Sequence, residues 1–351
     1  MPLMLATRGL QSARLFSMSA SSPKRVVFLG TPPVAARSLE LLLQGSRKGR
    51  GSFEIAAVVS QPPARTGRKM KLTPSPVHEL AEAEGLRLFT PPNAKDEQFL
   101  TDLASCEPDL MITAAYGCFL PRRFLDMPKF GTLNIHPSLL PLFRGAAPVQ
   151  RCLEAGDEVT GVSVAFTVLK MDSGPILRQV HRPLTGDEQA PELLEELFET
   201  GTEQLLDALP SVWDGSYKEA QWEQDHDCAT EAPKLSQAEG FLDLRDLNAR
   251  QAHNRVRGFA APIGPGCSCS IQLDEAPPVR VKLIRTQVGA HNAQPTQELT
   301  LSANKKAVEV VCGDGSVLEV QTLTLPGKKP VDAKSFWNGL NGRTARWLPL
   351  E

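Results

Sequence analysis

Lys24-Arg25-Val26-Val27-Phe28-Leu29-Gly30 reads as the first core strand of the chain, and together with the residues after it decides the fold. Four residues between the basic pair and the glycine are apolar without alternation, the pattern of a strand buried on both faces. Residues 34–44 then carry apolar side chains at helical spacing. The same succession recurs downstream. Strands are expected at 53–60, 86–89, 109–115 and 131–136, with a helix over 77–85 closed by Gly85. Strands alternating with helical segments predict an α/β domain, a Rossmann-like parallel sheet covered on both faces. Residues 161–169 and 176–182 follow without a helix between them and read as an antiparallel addition. Residues 191–209 form the best helix in the chain, with Leu193, Leu194, Leu197, Leu205 and Leu209 available for one apolar stripe.

From Trp213 to Pro233 the sequence turns polar and loses its period. After Lys234 a short helix (247–257) precedes β-rich runs at 267–273, 279–286, 298–302, 307–311 and 317–323. Short strands separated by Gly and Pro predict a small β-barrel, OB-like, as a C-terminal domain; a sandwich fits almost as well. The expected division is 1–23, 24–211, a linker over 212–233, and 234–351.

At 351 residues, with 41% hydrophobic and 22% charged residues, the composition is that of a globular chain of two domains. No apolar run approaches the roughly 20 residues that span a bilayer, so no membrane partner is expected. The seven cysteines are scattered and form no Cys-x-x-Cys spacing, which predicts reduced thiols rather than a disulfide frame or a zinc site. The net charge of −2 is segmented: residues 181–240 hold 15 Asp/Glu against 3 Lys/Arg, and the flanking regions are mildly basic. Such an acidic strip is either a solvated surface or a divider between two lobes that meet a polyanion. The first 23 residues contain Arg8 and Arg14 and no acid, a transit-peptide composition with cleavage expected near Phe16-Ser17. The destination is then a mitochondrial matrix or a plastid stroma, which composition does not separate.

The chemistry is concentrated in Asn134-Ile135-His136-Pro137-Ser138-Leu139-Leu140-Pro141, with Asp172 another 36 residues beyond His136. On an extended strand, Asn134 and His136 share a face. Both can donate hydrogen bonds to a carbonyl oxygen that gains negative charge, as acyl transfer requires. The turn residues after the strand leave the pair at its carboxyl end, where open parallel sheets bind ligands. The plain alternative is a structural histidine, a strand-capping Asn and a turn-forming Asp. Arg65, Arg68, Lys69 and Lys71 put four cations into seven residues around Gly67, a loop suited to phosphates, though such loops are commonly only solvated. Lys305-Lys306 and Lys328-Lys329 are weaker candidates for the same role. Gly30-Thr31-Pro32 lacks Gly-x-Gly-x-x-Gly, and Asp225-His226-Asp227-Cys228 lacks companion ligands, so neither a dinucleotide nor a metal site is expected.

Continuing through Leu142-Phe143-Arg144-Gly145-Ala146-Ala147-Pro148-Val149-Gln150-Arg151, the motif resembles that of the methionyl-tRNA formyltransferase family. Phe28–Pro32, Ser60-Gln61-Pro62, Leu72–Val77, Ala115-Tyr116-Gly117, Lys234-Leu235-Ser236 and Pro326–Lys329 agree in the same order. The resemblance implies transfer of a formyl group from 10-formyltetrahydrofolate to the α-amine of methionine on an initiator tRNA; with the transit-peptide composition this predicts an organellar enzyme, and a monomer is the default expectation. It implies Asn134, His136 and Asp172 as the catalytic trio, and Ser138, Leu139, Leu140 and Pro141 as the folate contact. It also implies Arg65, Arg68, Lys69 and Lys71, with Arg68 foremost, as the grip on the tRNA acceptor end. No metal is implied. Two stretches depart from the family pattern: Val168–Gly174 around Asp172, and Phe259-Ala260-Ala261-Pro262-Ile263 where Pro-Trp-Pro is common. The rival readings are a formyltransferase acting on a small amine, a formyltetrahydrofolate hydrolase, and an RNA-binding protein that kept the fold without the reaction.

Overall fold

The computed structural model describes residues 22–66 and 70–349. In chain order the elements are β1 (Lys24–Gly30), α1 (Pro33–Arg47), β2 (Phe53–Val59), β3 (Ala64–Thr66), β4 (Lys71–Thr73), α2 (Pro76–Ala83), β5 (Leu88–Phe89), α3 (Glu97–Ala104), β6 (Leu110–Ala114), α4 (Arg122–Leu125), β7 (Thr132–His136), α5 (Pro148–Ala155), β8 (Val159–Phe166), β9 (Ile176–Pro183) and α6 (Ala190–Asp214). Then come α7 (Tyr217–Ala220), α8 (Ala249–Gly258), β10 (Cys267–Leu273), β11 (Val279–Asn292), β12 (Thr300–Leu301), β13 (Val308–Val311), β14 (Ser316–Thr324), β15 (Val331–Asp332), α9 (Ala333–Gly339) and β16 (Ala345–Leu348).

The first sheet runs β5-β2-β1-β6-β7-β8-β9. Pairing is parallel from β5 through β7 and antiparallel for β8 and β9, as the missing helix between them predicts. Strand order reverses between β1 and β6, which opens a crevice at their carboxyl ends. Alternate residues feed cores on opposite faces. Val26, Phe28, Leu110, Ile112, Leu133 and Ile135 pack with α1 and α6. Val27, Leu29 and Met111 pack with Phe99, Leu103 and Phe124 on the other side. Leu133 and Ile135 thus face α6, which leaves Asn134 and His136 on the opposite face.

Gly201 in α6 sets how closely that helix lies under the motif strand. A Cβ there would come within 2.6 Å of Ile135 Cγ2 and Val162 Cγ2. Helix α6 extends beyond the expected stop at Pro210, ending at Gly215 with φ of 85°. Val212 remains fully buried and Trp213 Nε1 donates to Gly51 O at 2.5 Å, contacts that outweigh the missing proline N–H. Each such buried aliphatic side chain contributes about 1.5–3 kcal/mol. Helices α3 and α5, eight residues each, were not expected from the sequence; α2, equally short, was marked by its closing Gly85.

The second sheet, antiparallel, runs β12-β13-β14-β11-β10-β16, with β15 paired to β14. It curls into a half-barrel, and residues just before β12 bring its edges together: Leu299 N donates to Ala345 O and Trp347 N to Gln297 O. Cys267 and Cys269, two residues apart on β10, are both buried, and burial pushes each thiol up to about 12. All seven cysteines are free. Among the described residues no helix is long and apolar enough to cross a membrane.

The loop between β9 and α6 docks against α8. His253 Nε2 donates to Gly186 O at 3.0 Å, and Glu188 lies 3.2 Å from Arg182 Nη1 and 3.9 Å from Arg257 Nη1. Burial alone would raise the Glu188 carboxyl. Hydrogen bonds from Thr185 N, Thr185 Oγ1 and Gly186 N outweigh it and hold the group down, from an ordinary 4.5 to about 2. A carboxylate held down in this way stabilises the fold fully above its unfolded value and loses that contribution as pH falls toward the folded one. Glu188→Gln is therefore expected to cost about 2 kcal/mol at neutral pH. In thermal melts from pH 7 to pH 2, the gap from wild type should close between about 4.5 and 2.

Candidate active site

Strand β7 delivers Asn134 and His136 to the crevice. Register pairs Asn134 with Thr113 on β6, and Thr113 Oγ1 donates to Asn134 Oδ1 at 2.7 Å. With its oxygen engaged, the amide presents Nδ2, which makes no hydrogen bond within the described residues. A hydroxyl in an otherwise apolar strand is the sequence signal that could have found this neighbour.

His136 is 4% exposed, and its Nε2 lies 3.0 Å from Phe143 O. A carbonyl only accepts, so Nε2 carries hydrogen in either charge state of the ring, and Nδ1 is the nitrogen that gains or gives the proton. Nδ1 lies 3.8 Å from Asp172 Oδ2. That separation is an ion-pair distance rather than a hydrogen bond. Asp172 Oδ2 accepts from Gly145 N at 2.9 Å. His136 Nδ1 and the Asp172 carboxylate thus face each other, and Asn134 shares the β7 face of His136; β7 supplies two of these residues and the loop between β8 and β9 the third.

Two loop residues here are left-handed, Phe143 at φ 58° and Asp172 at φ 47°. Aspartate tolerates that region better than most residues, and Phe143 does not. Such conformations cost of order 1–3 kcal/mol each and persist where the surroundings over-determine them. The surroundings are supplied by the segment after α7. Thr230 Oγ1 accepts from Phe143 N at 2.8 Å, and Arg144 exchanges backbone hydrogen bonds with Thr230 and Ala232. Gln224, Arg144 and His226 form a second set of contacts. None of these was legible in a polar stretch without period.

The Ser138–Pro141 segment turns inward. Ser138 is fully buried, and its hydroxyl donates to Leu142 O at 2.7 Å. Leu140 is also buried, with its N–H given to Ser163 Oγ and its carbonyl accepting from Gln179 Nε2. Leu139 and Pro141 are the half-buried members. Ser138 and Leu140 shape the turn beneath them.

Arg65 and Lys71, the described ends of the basic stretch, lie on the β3–β4 hairpin. Arg65 pairs across it with Leu72 and Thr66 with Lys71. Arg65 and Lys71 are exposed and, by that register, project from opposite faces of the hairpin. Arg68 and Lys69 lie outside the described residues, as does nearly all of the expected transit segment. In the Asp225–Cys228 run, Cys228 Sγ donates to Asp225 and His226 Nδ1 accepts from Arg144 Nη2. Among the described residues no group of three or more His, Cys, Asp or Glu is arranged to hold a metal ion.

Residues 24–209 match the formyl transferase family, and residues 234–341 match its C-terminal domain. The methionyl-tRNA formyltransferase of Hahella chejuensis is 36% identical over 319 residues, which cover 91% of this chain and 95% of the bacterial one. The chain belongs to the methionyl-tRNA formyltransferase family. It is accordingly a formyl-transferring enzyme. Solved structures share the fold at lower identity. WlaRD, a sugar 3N-formyl transferase crystallised in the presence of dTDP and 5-N-formyl-THF, superposes with a TM-score of 0.59 at 14% identity, covering 88% of this chain and 99% of its own. HypX from Aquifex aeolicus, in complex with tetrahydrofolic acid, gives 0.57 at 18% identity over 91% of this chain and 47% of its own.

Proposed function

We propose that this enzyme moves the formyl group of 10-formyltetrahydrofolate to the α-amine of methionine carried on initiator tRNA, and that Asn134, His136 and Asp172 perform the transfer. The reading is carried by one geometric observation: Asn134 offers a free Nδ2 beside a histidine whose Nδ1 faces a carboxylate. As the neutral amine attacks, a C–N bond forms to the formyl carbon and the bond from that carbon to the folate nitrogen breaks. Asn134 Nδ2 and protonated His136 Nδ1 hold the formyl oxygen while it carries negative charge. Asp172, facing His136 Nδ1, passes the amine proton toward the departing folate nitrogen. The half-buried Leu139 and Pro141 side chains give the folate an apolar ledge beside the trio.

The tRNA is gripped through Arg65, Arg68, Lys69 and Lys71. Arg65 and Lys71, on opposite faces of the β3–β4 hairpin, suit a segment that meets phosphates on either side. The chain acts as a monomer in a mitochondrial matrix or a plastid stroma, a reading supported by the acid-free first 23 residues.

The experiment is acceptor choice. Purified protein with 10-formyltetrahydrofolate is given charged initiator tRNA, free methionine or water. Formylation confined to the charged tRNA is expected, and turnover without tRNA would return the small-amine or hydrolase reading. Arg68→Ala should weaken tRNA binding and lower the slope of log K against log salt by about one phosphate contact. An unchanged slope removes Arg68 from the interface.

A further inference from the structure

We propose that Gln224, in the segment joining the two domains, is a positioning residue of the formyl-transfer site, acting on Asp172 through its backbone. Gln224 is 5% exposed, whereas Trp222, Glu223 and Asp225 to Cys228 around it are all exposed. Both ends of its amide are committed. Nε2 donates to Asp172 O at 2.9 Å and to Gly174 O at 2.7 Å. Oε1 accepts from Arg144 Nε at 3.1 Å and from Arg144 Nη2 at 2.5 Å. Arg144 is itself 7% exposed, and its Nη2 also meets His226 Nδ1.

The side chain therefore ties together two loops that share no strand pairing. One, around Phe143–Gly145, supplies the carbonyl that holds His136 Nε2 and the N–H that holds Asp172 Oδ2. The other carries Asp172. The distance from His136 Nδ1 to the carboxylate is set by how these loops lie against each other, and Gln224 is the side chain bonded to both. It also meets the carbonyl of a residue held at φ 47°, the kind of conformation that needs external support. A buried amide with both its donors and its acceptor engaged is costly to disturb, because the partners left behind cannot reach water. The same stretch connects the two domains, so whatever pulls on it bears on the trio.

The test uses the full-length enzyme with two substitutions. Gln224→Met keeps length and neutrality but removes every hydrogen bond. Gln224→Glu keeps an acceptor for Arg144 and removes both donors to the Asp172 loop. Each should lower kcat about tenfold or more while KM for the folate donor and for the charged tRNA stays within about twofold, since a misplacement of about 1 Å at a reacting group can cost a hundredfold. Wild-type kcat in either variant, or a rise in KM without loss of kcat, overturns the proposal. So does failure of both to fold, which would assign Gln224 to stability alone. The proposal rests on the trio assigned above, and the two fail differently. Normal turnover in His136→Ala sinks that assignment, whereas an intact kcat in the Gln224 variants of an enzyme that His136→Ala inactivates sinks only this one.

Discussion

His136→Ala and Asn134→Ala should each lower turnover at least about a hundredfold while leaving tRNA affinity nearly unchanged. The removal of one preorganised donor from a developing oxyanion costs about 2.7–4 kcal/mol, which is a factor of a hundred to a thousand in kcat. Neither side chain is an essential pillar of the fold. Asn134 is half-buried and accepts one hydrogen bond from Thr113, and His136 holds a single carbonyl. Single-turnover formylation, with tRNA affinity measured separately, checks both. Normal turnover in either variant would exclude it from the reaction.

Asp172→Asn is expected to be at least as damaging, by a different route. The amide keeps an acceptor for Gly145 N, so the loop retains its 2.9 Å anchor. What it loses is the negative charge 3.8 Å from His136 Nδ1, and with it the acceptor for the amine proton. We expect kcat to fall by about 10²–10⁴, the range of a general acid–base contribution, with the donor KM little changed. Substrate binding measured beside kcat checks this. A variant that loses donor affinity and keeps kcat would make Asp172 a binding residue instead.

The sequence carried the parallel sheet plainly, because β1 and β6 are buried on both faces and read as largely apolar runs. The motif strand was equally legible: a period of two puts Asn134 and His136 on one face whatever lies around them. Less could be read of the site's support. Phe143 O and Gly145 N are backbone groups and leave no compositional mark, and Thr113 left only one hydroxyl in an apolar strand. Gln224 was hidden for another reason. A single buried polar residue inside an exposed acidic stretch has no periodicity to announce it, and only tertiary contact distinguishes it from Glu223 and Asp225. The inward turn of Ser138 and Leu140 escaped similarly, since a motif says which residues recur together and not which way each one points. In the hairpin, seven residues with four cations read as one patch, whereas strand register separates Arg65 from Lys71.

The most direct test is a crystal structure of the enzyme with 5-formyltetrahydrofolate, a non-reacting analogue of the donor. The formyl oxygen should lie about 2.7–3.1 Å from Asn134 Nδ2 and face His136 Nδ1, with the pteridine against Leu139 and Pro141. A folate bound elsewhere, or bound here with its formyl group turned away from the amide, the imidazole and the carboxylate, would contradict the account.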